Sequence, residues 1–194
     1  MNRFIFCFYD LNYTPEFLNS WINLVHFLNV KKIKYLMSTG ESCNAFYAKQ
    51  SCLGASVLEG PDQKPFQGSL DYEYFVFLSG DIVFSKEQFA TLYNSMRSNN
   101  FDFISANVED RNIIYKKIND EISHASQVEF DMVIVKKGVF EQLSYPWFRP
   151  WISKNSKEQN CVDIDICKKL TRKLKINLNI NTNVNIKKRR FTYA

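Results

Sequence analysis

Asp10 and Asp81 each stand where an apolar run ends: Asp10 closes "RFIFCFYD", and Asp81 follows "YFVFLSG" before Ile82, Val83 and Phe84 resume the run. A lone carboxylate inside a buried strand is stripped of water at a high cost or is forced to protonate. Both residues therefore belong where strands emerge, and there a carboxylate either caps a turn or binds something. Gly80 loosens the turn that carries Asp81. Asp163 and Asp165 open the stretch "DIDICKKLTRKL", and Lys187, Lys188, Arg189 and Arg190 follow the last alternating run. Acids at a helix start and bases at its end suit the helix dipole without any chemistry, and a basic run is more often solvated than specific. In a site, the same cations suit an anionic ligand or a nucleic-acid backbone.

The elements that must position these residues are readable from spacing. "RFIFCFY" has a β pattern; Thr14 then caps a helix with Pro15 at its first position, and Phe17, Leu18, Trp21, Ile22, Leu24, Val25 and Leu28 give it an apolar stripe. "IKYLMS" reads as a second strand, "ESCNAFYAKQSCLGA" as a helix ending near Gly54, and "EGPDQKPFQG" as a loop. "YEYFVFL" is a third strand, Ser85 and Gln88 form a capping box for "KEQFATLYNSMR", and "FDFISANV" is a fourth strand. Later come strands at "NIIYKKI" and "VEFDMVIVKK", a short helix at "GVFEQL", an aromatic loop "SYPWFRPW", and a half-buried strand over Ile176 to Ile186. Alternating strands and helices with continuous apolar strands predict a single α/β domain with a mostly parallel central sheet. Ligands of such sheets sit at the carboxyl ends of the strands, where Asp10 and Asp81 fall.

Composition narrows the class. With 194 residues, 45% hydrophobic and 15% aromatic, the chain can bury about two thirds of its unfolded surface in one domain. The net charge of +5 permits an anionic partner and demands none. Five cysteines with no CxxC pair signal neither a disulfide framework nor a zinc finger, and no stretch approaches the roughly 20 apolar residues of a membrane helix. A cytoplasmic protein with reduced thiols is the expectation. His26 and His124 have no partner pattern and receive no role.

The order of these motifs resembles the small nucleotide-sugar glycosyltransferases of the GT-A fold, especially the compact family-2-like enzymes common in phages and large viruses. "FIFCFYD" looks like the strand that meets the nucleotide base, which would put Phe8, Tyr9 and Asp10 by the donor. Ala48-Lys49-Gln50 stands where the family usually has Ala-Arg-Asn, so Lys49 is similar in type to a donor-site cation. "FVFLSGDIVFSKEQFATL" resembles the Asp-x-Asp segment, and "VDIDICKKL" resembles the Glu-Asp-x-x-x-Cys helix. Residues 1–108 would then form the nucleotide-sugar half and residues 109–194 the acceptor and catalytic half.

Three departures accompany the resemblance: Ser79 replaces the first Asp of Asp-x-Asp, Val162 replaces the Glu of Glu-Asp, and the position of the closing metal-site His falls at Lys187 or Lys188. The resemblance implies a sugar moved from a UDP-sugar or other nucleotide-diphosphate sugar to a hydroxyl acceptor, on a modified DNA base or a surface glycan, by an inverting displacement. Asp163 would be the base, with Asp165 as the spare, because residues two apart on a helix diverge by roughly 200°. Ser79, Gly80 and Asp81 would hold the diphosphate, and Asp81 a weakly bound Mn²⁺ or Mg²⁺, unless Lys187, Lys188 and their neighbours replace the metal's charge. Trp147 and Trp151 are either a packed loop or a wall for the acceptor. The competing reading is a non-catalytic binding relative with a decayed Asp-x-Asp.

Overall fold

The most apolar runs of the sequence become the middle of a sheet covered on both faces. The structure, a computed structural model, describes residues 3–109, 115–152, 159–160 and 162–189. Its strands are β1 (Phe4–Phe8), β2 (Tyr35–Thr39), β3 (Tyr74–Leu78), β4 (Ile82–Val83), β5 (Phe103–Val108), β6 (Tyr115–Lys117), β7 (Ile122–Ala125), β8 (Met132–Lys136), β9 (Trp151–Ile152), β10 (Gln159–Asn160) and β11 (Leu178–Lys188). Its helices are α1 (Pro15–Val30), α2 (Ala45–Ser51), α3 (Lys86–Ser98) and α4 (Val162–Lys168), the last continued by a π turn over Lys169–Lys173.

The main sheet has the order β2-β1-β3-β8-β5-β11-β7-β6, with β4 paired to β11 outside that path and β9 and β10 paired separately. From β2 to β11 the strands run one way except β8, which lies antiparallel between β3 and β5. This is the single α/β domain with a mostly parallel central sheet that the alternation predicts. The reversal at β8 matters for the site, because it brings the residue before that strand to the same edge as the residues after β1 and β3.

Side-chain alternation splits the core into two layers. Phe4, Phe6 and Phe8 of β1 join Trp21, Leu24 and Phe89 of α1 and α3 on one face. Ile5 and Cys7 join Phe77, Phe130, Phe148 and Leu170 on the other, under α2 and α4. Phe8 is thus a core residue that meets Trp21 edge-on at 4.9 Å, and this corrects its expected place at the donor. Trp147 is likewise in the core: it is fully buried, its indole N–H donates to the Leu143 carbonyl at 3.2 Å, and its ring meets Tyr145 and Phe140. The packed-loop reading holds for Trp147, and the acceptor wall does not. The Trp151 backbone pairs with Asn160; its side chain lies outside the described residues.

Two local features fix the site elements. α2 approaches the end of β2 so closely that a Cβ on Gly40 would stand 1.8 Å from the Ala48 carbonyl oxygen, which sets Lys49 beside the strand ends. Gly80 is needed for the same reason, since its Cβ would meet the Asn12 carbonyl oxygen at 2.4 Å and the Tyr13 ring at 2.7 Å. Gly80→Ala is expected to cost about 1–3 kcal/mol, because backbone rather than a flexible side chain must yield. Urea denaturation tests this, and an unchanged midpoint would contradict the close approach.

Candidate functional site at the strand ends

Two polar clusters meet where β1, β3 and β11 end and β8 begins. In the first, the Asp10 carboxylate accepts the Gly80 N–H at 2.6 Å, and its Oδ2 lies 2.7 Å from the Ser79 hydroxyl. The same hydroxyl lies 2.7 Å from Asp81 Oδ1. A hydroxyl carries one proton, so it donates to only one of these two carboxylates. The other short contact sets oxygen lone pairs against each other, a place that suits a further proton or cation. Ser79 thus joins Asp10 to Asp81.

Register decides which cation reaches this cluster. β4 and β11 pair Ile82 with Lys188 and Val83 with Lys187, and the Arg189 N–H donates to the Asp81 carbonyl at 2.7 Å. Lys188 turns inward, with Nζ 2.8 Å from Asp131 Oδ1 and 3.6 Å from Asp81 Oδ2. Lys187 turns outward, with Glu109 at 4.0 Å. Arg190 lies outside the described residues. Asp131, buried and one residue before β8, was not among the expected site residues. Its signal was available, since it stands at the border of an apolar run as Asp81 does. Two carboxylates thus face this ammonium, and Asp10 joins them through Ser79. Among the described residues no three His, Cys, Asp or Glu side chains are grouped to hold a metal.

The second cluster pairs Lys49 of α2 with Asp163 of α4. Their ion pair is 2.5 Å long, and each side chain is only 6% exposed. The ammonium sits 4.6 Å from the centre of the Tyr9 ring, with the Phe130 and Phe148 rings at 5.7 and 5.9 Å. The second Asp163 oxygen accepts the Phe130 N–H at 3.2 Å, and the Tyr9 hydroxyl donates to the Phe130 carbonyl at 2.6 Å. Tyr9-Asp10 and Phe130-Asp131 are neighbours in sequence, so these two dipeptides join the clusters.

Asp165 faces elsewhere, as the helical divergence requires. Its carboxylate lies 2.6 Å from Lys169 Nζ and 3.5 Å from Arg149 Nε. Lys169 also donates to the Pro146 and Trp147 carbonyls. Burial lowers the Lys169 pKa, and Asp165 opposes that shift. The structure therefore brings Tyr9, Asp10, Lys49, Ser79, Gly80, Asp81, Asp163 and Lys188 to the strand ends, and leaves Phe8, Asp165, Lys187 and Trp147 apart from that group.

Burial pushes the Tyr9 hydroxyl well above its usual pKa, helped by Asp131, Asp10 and Asp163 and opposed by a hydrogen bond with Ser79. A tyrosine with a raised folded pKa keeps more protons folded than unfolded, so its stabilising contribution is complete below pH ~10 and is lost as pH rises through the folded value. Melting measured from pH 8 to 11.5 is expected to fall above pH ~10, and Tyr9→Phe to fall less steeply. An identical slope in the two proteins would contradict the buried, protonated Tyr9.

The sequence matches no family model and no curated protein. Among solved structures the chain is similar to A197 from STIV, with a TM-score of 0.57 and 14% identity over 94% of this chain and 82% of that one. It is also similar to a glycosyltransferase involved in the glycosylation of the major capsid of PBCV-1, with a TM-score of 0.43 and 10% identity over 73% of this chain and 63% of that one. The first likeness shows a fold shared along nearly the whole chain.

Proposed function

We propose that the chain is a glycosyltransferase of the GT-A type that moves a sugar from a nucleotide-diphosphate sugar, with UDP as the leading nucleotide, to a hydroxyl acceptor. The observation that carries this reading is the convergence of Asp10, Ser79, Asp81 and Lys188 at the carboxyl edge of the sheet, where α/β folds bind ligands. Asp81 is partly exposed and able to meet a ligand.

Transfer needs charge compensation on the departing diphosphate and a base for the acceptor hydroxyl. The donor set fits Mg²⁺ or Mn²⁺, hard cations that take oxygen ligands and need only one or two carboxylates beside substrate phosphates. Asp81 would hold the ion, with the Ser79 hydroxyl and Asp10 behind it. When bound, it would supply Lewis-acid charge on the diphosphate. Lys188 adds positive charge beside it, although Asp131 already engages that ammonium. With carboxylates outnumbering ammonium at this edge, a diphosphate calls for a divalent cation, and this weighs against full replacement of the metal by lysines.

Asp163 is the assigned base for an inverting displacement: it takes the acceptor proton while the acceptor oxygen bonds to the anomeric carbon and the bond to the diphosphate breaks. In the structure Lys49 holds it, so the pair must open for that step. Asp163→Asn protein turning over at the wild-type rate would remove the assignment. A modified DNA base and a glycan are the acceptor classes; steep loss of acceptor binding with salt selects the DNA.

The locked ion pairs of Asp163 and Asp165 favour the second reading, a binding module without turnover. Thermal-shift titration with nucleotide sugars, with and without Mn²⁺, followed by hydrolysis of each binder, separates the two. Binding with slow donor hydrolysis supports the transferase, and binding with no turnover under any acceptor supports the module.

A further inference from the structure

A hollow on α4 and its π turn has none of the strand-end residues in its lining. A cavity of about 340 Å³ opens between α4, its π turn and the segment after β7, lined by Ser126, Gln127, Ile164, Lys168, Thr171 and Arg172. We infer that it binds a phosphate ester, with Lys168 and Arg172 on the phosphate and Ser126 and Gln127 as neutral donors.

Charge is the first support. Among the described residues the lining holds two cations and no acid. Asp165 is the last acidic residue of the sequence, and it is turned to Lys169 and Arg149. Among the described residues Arg172 has no ion-pair partner, so its planar fork of donors is open to a bidentate anion, the geometry that phosphate offers.

Backbone form is the second. Lys168 and Arg172 are four apart, neighbours along one side of a helix. Over Lys169–Lys173 that helix widens, with the Leu174 N–H donating to the Lys169 carbonyl at 3.3 Å. Such π turns recur at functional sites. Thr171 donates its own proton back to the Cys167 carbonyl at 2.9 Å, so it forms wall rather than donor, and Ile164 supplies apolar floor.

Size and lining set the ligand class. The volume exceeds that of a bare phosphate and reaches the lower range of small-molecule sites, which suits one phosphorylated sugar unit. Among the described residues no aromatic side chain lines the hollow to stack a base, so recognition rests on phosphate and sugar. A free sugar phosphate and a nucleotide unit of a single strand share this chemistry.

The test is amide NMR of the whole chain titrated with inorganic phosphate, glucose 6-phosphate and a thymidine decanucleotide, each at constant ionic strength. Saturable shifts at Ser126, Gln127, Thr171 and Arg172, weakened roughly 10-fold or more in Arg172→Gln, are expected for at least one probe. The tighter of the two esters identifies the source. Absence of saturable shifts with all three probes would overturn the inference, as would shifts that Arg172→Gln leaves unchanged or that sodium chloride reproduces. Asp81→Asn is expected to leave these shifts intact, which separates this pocket from the strand-end site.

Discussion

Replacing Lys49 by methionine is expected to lower stability by about 3–5 kcal/mol, the usual cost of leaving one member of a buried ion pair without its partner. The melting midpoint of a chain this size should fall on the order of 10 °C. The size of the effect follows from position. Both side chains are almost completely buried, and the ammonium lies among the Tyr9, Phe130 and Phe148 rings, where water cannot take its place. Asp163 would keep the hydrogen bond from the Phe130 N–H but lose the ammonium that faces it. Lys49→Met with Asp163→Asn should recover most of the loss, because the amide oxygen still accepts that N–H while the charge is gone. A double-mutant cycle by urea denaturation reads the coupling directly. A loss below about 1 kcal/mol for Lys49→Met would mean that the pair is solvated, as surface pairs are.

Asp81→Asn should have the opposite profile, with a small effect on stability and a large effect on ligand. Its ion pair with Lys188 is long at 3.6 Å and partly exposed, so its loss costs at most about 1 kcal/mol. The carboxylate is nonetheless partly exposed at the sheet edge, where the proposed donor would meet it. Its removal should weaken Mn²⁺-dependent donor binding on the order of 100-fold, equivalent to about 2.7 kcal/mol. Calorimetric titration of a nucleotide sugar checks this, and an affinity within about twofold of wild type would remove Asp81 from the site.

Local chemistry was legible in the sequence wherever one element decides it. Thr14 accepts the Phe17 N–H ahead of Pro15, and Ser85 and Gln88 close their capping box, as their spacing implies. β1 and β3 are the continuous apolar runs of strands buried on both faces. The misses arise where long-range pairing decides. Nothing in "VEFDMVIVKK" encodes direction, so β8 could not be read as the reversed strand that delivers Asp131. "EISHASQ" looks polar, yet β7 forms there because β11 and β6 supply partners on both sides. Side-chain parity explains the rest. Phe8 shares a face with Phe4 and Phe6, which sends it to one core layer, while Tyr9 is buried in the other and Asp10 stays at the edge. The same period of two sends Lys188 inward and Lys187 outward. Trp147 could not be assigned from a Pro-rich aromatic loop, because only tertiary contacts distinguish a packed ring from a binding wall.

The central claim is that Asp10, Ser79, Asp81 and Lys188 receive a nucleotide diphosphate together with a divalent cation. Calorimetric titration of UDP-glucose and a panel of other nucleotide sugars into the wild-type chain, with Mn²⁺ and then with EDTA, tests it most directly. The arrangement predicts saturable binding of at least one donor with Mn²⁺, abolished by EDTA and weakened on the order of 100-fold by Asp81→Asn. Failure of every nucleotide sugar to bind, or binding of equal strength with the metal removed and Asp81 replaced, would contradict it.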